Sequence, residues 1–206
     1  MSLAGVLKSR YSKPLLHTVC LLPFAGLLWG LSSDGLGANP VETLTHETGE
    51  WTLRLLLLTL VISPLRQWTG QTVWLRFRRM LGLYTFFYVS CHFLIWLVFD
   101  HSLDLAGMLE DIVQRPYITV GFSALMLLIP LAITSNKASV RRLGRRWKTL
   151  HQLVYAVVLL GILHFMWLVK ADYLEPTIYA IIAVLLLLHR AGPIKRLGEK
   201  SSPVTR

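Results

Sequence analysis

The chain has 206 residues, of which 54% are hydrophobic and only 16% are charged, whereas ordinary soluble domains carry about 25% charged residues. Its charges are confined to short segments between long apolar runs, which excludes an ordinary soluble enzyme and indicates an all-α, multi-pass membrane protein. The formal net charge is +10, but no basic segment between the apolar runs is long enough to fold, so we predict no nucleic-acid partner.

Six apolar segments follow one another and predict a six-helix transmembrane bundle that forms a single domain over residues 1–206. The predicted spans are residues 14–31, 53–65, 80–99, 117–135, 150–169 and 176–189. The second is short for a bilayer, so it crosses only if Trp51 and Trp68 lie in the membrane interfaces, where tryptophan is favoured.

The distribution of basic residues predicts the orientation of the bundle. If the N-terminus is cytoplasmic and the spans alternate, all of the 21 lysines and arginines are cytoplasmic except Arg54, Arg115 and Lys170. Of the 11 acidic residues, only Glu199 lies on that side. Because cytoplasmic loops of membrane proteins are enriched in lysine and arginine, we predict that both termini are cytoplasmic.

The two long outer segments differ in character. The first, "SSDGLGANPVETLTHETGEW", is rich in Gly, Pro and Asn, so we expect it to turn without continuing either helix. It carries His46, for which a structural hydrogen bond or contact with a partner protein are both possible. The second places Leu103, Met108, Leu109 and Ile112 at helical spacing, which predicts a short amphipathic helix on the outer surface.

Three of the seven histidines lie within predicted spans: His92 in the third, and His151 and His164 in the fifth. These two spans run in the same direction across the membrane. At about 1.5 Å per residue, His92 lies about 18 Å and His164 about 21 Å from the start of its span, whereas His151 lies at the opposite, cytoplasmic end. The sequence therefore predicts that His92 and His164 share one depth in the bundle.

Two neutral imidazoles at one depth can bind one metal ion from opposite sides. Haem iron takes axial imidazoles, and a helix bundle in lipid suits the apolar porphyrin. Zinc or copper needs further ligands, and Cys91, about 100° around the helix from His92, points elsewhere. We therefore predict a haem with axial ligands His92 and His164; the alternative is that these histidines only form hydrogen bonds between helices.

Five fragments in order carry a family resemblance: "GLGANPVETLTHETGEW", "RRMLGLYTFFYVSCHF", "RPYITVGF", "AITSN" and "LGRRWKTLHQLVY", the last followed by His164. With them, nearly the whole chain resembles the haem-binding membrane subunits of bacterial MsrPQ systems (the MsrQ or YedZ type). Those subunits resemble in turn the transmembrane domains of ferric reductases and NADPH oxidases, which have six helices and histidines on the third and fifth.

The resemblance implies a complete outer haem site, His92 with His164, and an incomplete inner one. His151 keeps the 13-residue spacing of the two-haem relatives, but Arg78 stands where their second histidine of the third helix lies. His151 is thus a candidate for binding a second haem with an unusual partner, for taking the place of His164 as a ligand, or for lining a flavin or quinone site on the cytoplasmic side. Since its imidazole is some 140° from His164 on an ideal helix, either that helix is distorted or the two histidines serve different partners.

By resemblance, the chain is not an enzyme on its own but a b-type haem subunit of the bacterial inner membrane. It is expected to take electrons from the quinone pool or a cytoplasmic flavin reductase and to pass them to a periplasmic, molybdopterin-containing subunit that reduces protein methionine sulfoxide. The resemblance also implies FMN as a cofactor. Four arginines are candidates for binding the FMN phosphate or haem propionates, the alternative being that they only set the orientation: Arg78, Arg79, Arg145 and Arg146.

Three other functions stay open from the sequence. One is a ferric reductase-like enzyme that reduces a metal ion or oxygen directly. A second is the cytochrome b subunit of a different periplasmic complex that oxidises quinol. The third is a haem-free structural membrane protein or transporter, which would show no haem absorption.

Overall fold

The computed structural model describes residues 5, 7 and 9–199, with side chains up to residue 190, and within these residues it contains helices and no β-strand. This confirms the predicted all-α class. A 3-10 turn, Thr72–Trp74, leads into the third helix, and a π-helical turn, Trp96–Asp100, follows it. In chain order the α-helices are α1 (Ser12–Ser32), α2 (Pro40–Thr69), α3 (Leu75–Ile95), α4 (Leu105–Gln114), α5 (Pro116–Ile133), α6 (Lys137–Leu143), α7 (Arg145–His151), α8 (Leu153–Leu168) and α9 (Leu174–Glu199).

Two helix pairs form the frame of the molecule. Helix α2 packs along α3, and α5 packs along α8; these are the most extensive helix–helix contacts in the described part of the chain. Helix α9 lies against α2 and α8, while α1 touches α2 and α3 over a shorter length. The predicted third and fifth spans, which carry the intramembrane histidines, thus belong to different pairs.

Helix α2 lies in the middle of the bundle because its apolar residues are buried on two sides. On one side Leu55 and Ile62 pack with Cys20 of α1 and with α3. On the other side a leucine cluster packs with α5, α8 and α9: Leu53, Leu56, Leu57 and Leu60. A helix that is apolar all round in this way is surrounded by other helices. The short second apolar segment of the sequence is therefore the buried centre of a much longer helix.

The N-terminal half of α2 corrects the prediction for the first outer segment. The sequence predicts that this segment turns without continuing either helix, but from Pro40 onward it is the first part of α2. The side chain of Asn39 caps the helix by accepting a hydrogen bond from the backbone N–H of Glu42 at 3.3 Å, and Pro40 occupies the first helical position. Asparagine followed by proline is a helix-start pattern. As a result, His46 stands on a helix and not in a loop.

Four helical segments among the described residues are long and apolar enough to cross a membrane: Ser12–Ser32, Thr72–Asp100, Pro116–Ile133 and Arg145–Leu168. Each lies at one of the predicted spans. Helices α2 and α9, which contain the other two, have 30 and 26 residues. Large apolar side chains face outward on the peripheral helices, among them Leu22 of α1 and Leu185 of α9. Such a surface is suited to lipid.

The second outer segment contains the predicted amphipathic helix, α4, but that helix begins after Leu103, which has a φ of +66°. The Asp104 side chain caps it by accepting a hydrogen bond from the Ala106 backbone N–H at 3.0 Å. Leu105, Leu109 and Val113 project from one face at a spacing of four residues and are all strongly exposed. An apolar face of this kind fits a helix lying at a membrane surface.

The helix that carries His151 and His164 is interrupted between them. Helix α7 ends at His151 and α8 begins at Leu153. Around the junction, Gln152 donates its backbone N–H to the Thr149 carbonyl at 3.1 Å, and Tyr155 donates to the Gln152 carbonyl at 3.0 Å. Bonds to the third residue back are those of a tighter, 3-10 helical turn. The distortion considered from the 13-residue spacing is therefore present.

Candidate metal centre

His92 and His164 come together from the two helix pairs, as their matched depths predict. The ring centroids are 6.2 Å apart and the ring planes are inclined at 85°. Two imidazoles that bind one metal ion from opposite sides, each at about 2.0 Å, have ring centres about 6 Å apart. The observed separation therefore fits a single metal ion between the two side chains.

The hydrogen bonds of the two rings leave one nitrogen of each for a metal. His92 Nδ1 lies 2.9 Å from the carbonyl oxygen of Thr45 in α2, and His164 Nδ1 lies 2.7 Å from that of Tyr117 in α5. Since a carbonyl only accepts, each Nδ1 carries the proton and donates it. The lone pair of each neutral ring then lies on Nε2. In metal-ligating histidines, a hydrogen bond from the other ring nitrogen typically fixes the orientation of the imidazole.

The surroundings of the two histidines are aromatic. Phe93 packs on Phe122 with ring centroids 6.1 Å apart, and the Tyr117 ring lies 6.2 Å from that of His164. No group of three or more His, Cys, Asp or Glu side chains suited to a metal occurs among the described residues. Cys91 lines a separate apolar cavity between α1, α2 and α3, which agrees with its predicted direction away from His92. A metal ion bound between these histidines would therefore have two imidazoles as its side-chain ligands.

His151 has a different environment at the other end of the helix. Its Nε2 lies 3.1 Å from the hydroxyl oxygen of Thr134, and its ring stacks on Trp147 with centroids 3.9 Å apart. The Thr134 hydroxyl donates to the Pro130 carbonyl at 2.6 Å, so it accepts from His151 Nε2–H. His151 thus uses the nitrogen that the other two histidines keep free. It does not meet either of them.

A cavity of about 520 Å³ opens beside His151, between α2, α3, α5 and the turn formed by α6 and α7. Its inner wall is apolar, and its mouth carries cations. Of the four arginines proposed from the sequence, Arg78 and Arg79 line this cavity, whereas Arg145 and Arg146 do not. In their place α6 contributes Lys137 and Arg141, which the sequence analysis missed.

The position of α6 explains this difference. Gly144, with φ of +51°, joins α6 to α7 in a conformation that favours glycine. The reversal there turns the one-turn pair Lys137 and Arg141 toward the cavity. Their spacing of four residues before a glycine was the available signal, because it places both on one face of a helix.

His46 belongs to a polar chain at the level of the two central histidines. Its Nδ1 lies 3.0 Å from the carboxylate of Glu50, which is also paired with Arg54. Arg54 Nε in turn donates to the Tyr179 hydroxyl in α9 at 3.0 Å. The His46 ring packs against Phe165, the neighbour of His164, with centroids 6.1 Å apart. About half of the His46 side chain remains exposed.

The chain matches the family model described as "Ferric reductase like transmembrane component" over residues 48–162, more than half of its length. The protein named "Protein-methionine-sulfoxide reductase heme-binding subunit MsrQ" in Xanthomonas campestris pv. campestris (strain B100) is 54% identical over 195 residues, which are 92% of this chain and 88% of that protein. The chain belongs to the MsrQ family. The MsrQ protein of Bordetella pertussis is 52% identical over 177 residues, 85% of this chain and 86% of that protein. No solved structure matches the chain.

The residues of the central site fit the haem that MsrQ relatives are named for. His92 and His164 offer two neutral imidazoles at a suitable separation, each fixed through Nδ1. The Tyr117 ring lies beside His164, and Phe93 follows His92 in the chain; such aromatic side chains suit an apolar macrocycle. Two imidazole ligands among apolar side chains would suit haem, whereas a structural zinc ion needs four protein ligands.

Proposed function

We propose that this chain is the electron-transfer subunit of a protein-methionine-sulfoxide reductase system, with one b-type haem held between His92 and His164. The observation that carries the proposal is the pair of imidazoles 6.2 Å apart with their Nδ1 atoms engaged by backbone carbonyls. Bound haem supplies a one-electron carrier. The chain itself contributes the two ligands, their orientation and an apolar environment that sets the potential.

The membrane position of this site supports transfer toward the outside. We propose that α2 and α9 cross the membrane together with the four apolar segments, giving six spans with both termini in the cytoplasm of a bacterial inner membrane. The basic residues at the His151 end favour this orientation. His92 and His164 then lie in the outer half of the bundle, because they pack against the outer ends of α2 and α5. Parts of the termini, 1–4 and 200–206, lie outside the described residues.

Electron entry is proposed at the cavity beside His151. An apolar chamber with Arg78, Arg79, Lys137 and Arg141 at its mouth suits a flat ring system that carries an anionic group. FMN from a cytoplasmic flavin reductase meets this description, and a quinol head group fits the apolar part. His151, which is hydrogen-bonded to Thr134, is available there to take or return a proton.

Electron exit is proposed at the outer surface near His46. The names of the MsrQ relatives describe a subunit of a protein-methionine-sulfoxide reductase, so we expect a separate catalytic subunit, molybdopterin-containing and periplasmic, as acceptor. His46 is half exposed and its ring contacts Phe165, the neighbour of His164, which supports an exit route past this side chain.

The test of the haem assignment is the reduced absorption spectrum of the detergent-purified protein. We expect the wild type to show a low-spin b-type spectrum, and His92→Ala and His164→Ala to lose it or alter it grossly, because each removes an axial ligand. His151→Ala is expected to keep the spectrum, because its Nε2 is engaged by Thr134. If both His92→Ala and His164→Ala retain the wild-type spectrum, the proposal is wrong.

The electron-entry site is tested by the kinetics of haem reduction. We expect Arg78→Gln to weaken the apparent affinity for reduced FMN about tenfold, since a charged hydrogen bond contributes about 1.5–3 kcal/mol. The haem spectrum should be unchanged. Arg142→Gln, an exposed change in α6 away from the cavity lining, is the matched control. If Arg78→Gln and Arg142→Gln have equal apparent affinities for reduced FMN, Arg78 is not part of the entry site. If Arg78→Gln slows haem reduction by quinol but not by reduced FMN, quinol is the electron donor.

The match to the ferric reductase family model favours a second candidate, direct reduction of a ferric complex by this chain. The same purified protein distinguishes the two functions. Rapid reoxidation of the reduced protein by a ferric chelate, with no acceleration by the methionine-sulfoxide reductase subunit, would favour the reductase enzyme. Reoxidation that depends on that subunit and on methionine sulfoxide would favour the electron-transfer function.

A further inference from the structure

We propose that Gly49 and Gly121 are positioning residues for the two haem ligands. Each glycine leaves bare a backbone carbonyl one helical turn earlier, and the carbonyl receives the Nδ1–H of His92 or His164. The inference rests on the proposed function, because it assumes that these histidines hold haem. We call each set, Thr45–Gly49 for His92 and Tyr117–Gly121 for His164, a glycine–carbonyl cradle.

The two glycines are in direct contact with the imidazoles. A methyl group added at Gly121 would lie 2.7 Å from His164 Nδ1 and 2.8 Å from its Cε1. One added at Gly49 would lie 3.2 Å from His92 Cε1 and 3.3 Å from its Nδ1. No side chain but hydrogen therefore leaves the rings where they are, and the second position is the more tolerant.

The position of each glycine relative to its carbonyl follows from helix geometry. Side chains in an α-helix tilt toward the N-terminus, so a residue covers the surface over the turn before it. The carbonyl of Thr45 is covered by the residue four positions later, which is Gly49, and that of Tyr117 by Gly121. Each carbonyl has a second lone pair beyond the one used within its helix. Removing the covering side chain exposes this lone pair to a neighbouring helix.

The same arrangement occurs twice. Each histidine follows its carbonyl partner by 47 residues, and each glycine lies four residues after that carbonyl. A phenylalanine follows each histidine directly, Phe93 and Phe165. The cradles belong to the two closely packed helix pairs, α2 with α3 and α5 with α8. A chance close contact would not reproduce the same spacing, bond and glycine in both pairs, so the repetition points to a shared role.

That role is to fix the tautomer and the direction of each ligand. With the proton held on Nδ1 by a carbonyl, Nε2 is the free nitrogen, and the ring cannot rotate without losing its bond. Hydrogen bonding at Nδ1 also makes the imidazole a stronger electron donor, which favours ferric iron and lowers the potential. His151 has no such cradle, since its Nε2 is bonded to Thr134.

The test compares Gly49→Ala and Gly121→Ala with two control changes. Gly161→Ala lies in α8, the helix of His164, where the new methyl group would be 3.8 Å from its nearest neighbour, Leu53. Gly26→Ala lies in α1 and would meet nothing within 4 Å. All four variants replace a helical glycine by alanine. They differ in whether the methyl group meets a histidine.

We expect a graded result in haem content, low-spin spectrum and midpoint potential. Gly121→Ala should lose haem affinity about 10- to 100-fold, the usual effect of disturbing the partner of a metal-ligating histidine. Gly49→Ala should keep haem but shift the low-spin spectrum and move the potential to more positive values. Both controls should match the wild type. Helical content by circular dichroism checks that each protein is folded.

Unchanged spectra and potentials in a folded Gly49→Ala variant and in Gly121→Ala would overturn the inference. If Gly121→Ala does not fold, the spectrum and potential of Gly49→Ala decide alone. These outcomes differ from a failure of the proposed function, in which His92→Ala and His164→Ala would keep the wild-type haem spectrum. Loss of haem in the histidine variants with no effect in either glycine variant refutes the cradles only.

Discussion

Glu50 shows how this bundle accommodates a charge at the level of its central site. The Glu50 side chain is 8% exposed, and its carboxylate lies between the imidazole of His46 and the guanidinium of Arg54, so it has a polar partner on both sides. Arg54 is 35% exposed and is also held by Tyr179. An acid and a base four residues apart in one helix are an ordinary surface pair in a soluble protein. Here the pair is largely buried, so removing either side chain would leave the charge of the other without a partner in a poorly solvated position.

We expect Glu50→Gln to destabilise the protein by about 2 kcal/mol. Breaking a buried ion pair costs about 3–5 kcal/mol, and the partial exposure of Arg54 reduces that figure. Thermal unfolding in detergent, followed by circular dichroism, measures the effect. Glu47→Gln, a change at a partly exposed position of the same helix, is the control. The double variant Glu50→Gln/Arg54→Gln should recover part of the loss; no recovery would mean that the two side chains are not coupled.

The residue scale also marks a limit of what the sequence predicts. The pairing of His92 with His164 follows from counting, because the rise of an α-helix per residue is constant. The residue positions do not predict which groups accept the Nδ1–H bonds. The acceptors are the backbone carbonyls of Thr45 and Tyr117, and every residue has such a carbonyl. Only the packing of α2 on α3 and of α5 on α8 selects those two.

At the scale of elements, α1 depends on a side chain of α3. Pro23 lies within α1 and has no N–H to give to the helix. Next to it, the Tyr88 hydroxyl donates to the Cys20 carbonyl at 2.7 Å and accepts from the Phe24 N–H at 3.1 Å. Those two backbone groups would bond to each other in an uninterrupted helix. Within a bilayer, where water is absent, such groups need a partner from the protein.

We expect Tyr88→Phe to destabilise the protein by about 1–3 kcal/mol, because it leaves buried backbone groups without their partner. Tyr88 is fully buried, so water cannot replace the hydroxyl. Tyr84→Phe is the matched control: its hydroxyl, also in α3, bonds to His17 at an exposed position. Thermal unfolding and limited proteolysis of α1 measure both variants. Equal stability of the two would show that the Tyr88 bridge contributes nothing.

The sequence predicts a helix well where a single property, such as hydropathy or the spacing of apolar residues, identifies it. The peripheral spans are recognisable because their residues face lipid and must be apolar, and α4 because its apolar residues keep a helical period. For α2 the apolar segment 53–65 predicts only part of the helix, which begins at Pro40. Its outer half is largely polar, although Leu44, Thr48 and Glu50 in it are buried, so hydropathy understates the length of the helix. The cap at Asn39 and Pro40 was the signal that mattered there.

At the scale of the whole molecule, the distribution of charged residues favours one orientation in the membrane. The cavity with Arg78, Arg79, Lys137 and Arg141 lies at one end, and the polar chain from His46 to Tyr179 lies toward the other. Cytoplasmic ends of membrane helices attract lysine and arginine. The proposed topology therefore has the cavity at the cytoplasmic face and α4 at the outer face.

We test this topology by labelling single cysteines in intact spheroplasts. In a background with Cys20 and Cys91 replaced by alanine, Gln114→Cys at the end of α4 should react with a membrane-impermeant maleimide. Ala138→Cys in α6 should react only after the membrane is permeabilised. Both positions are exposed, so accessibility within the protein is matched. Labelling of Ala138→Cys in intact spheroplasts would reverse the proposed orientation.

One consequence follows from the way the two central histidines are anchored. Each is tied to its own helix pair, His92 to α2 and His164 to α5, so a metal between them joins the two halves of the bundle at their outer end. Farther in, the halves are held by the leucine cluster around α2. A haem bound there would hold the outer ends of the two halves together. Its loss should therefore let these outer ends separate before the inner core unfolds.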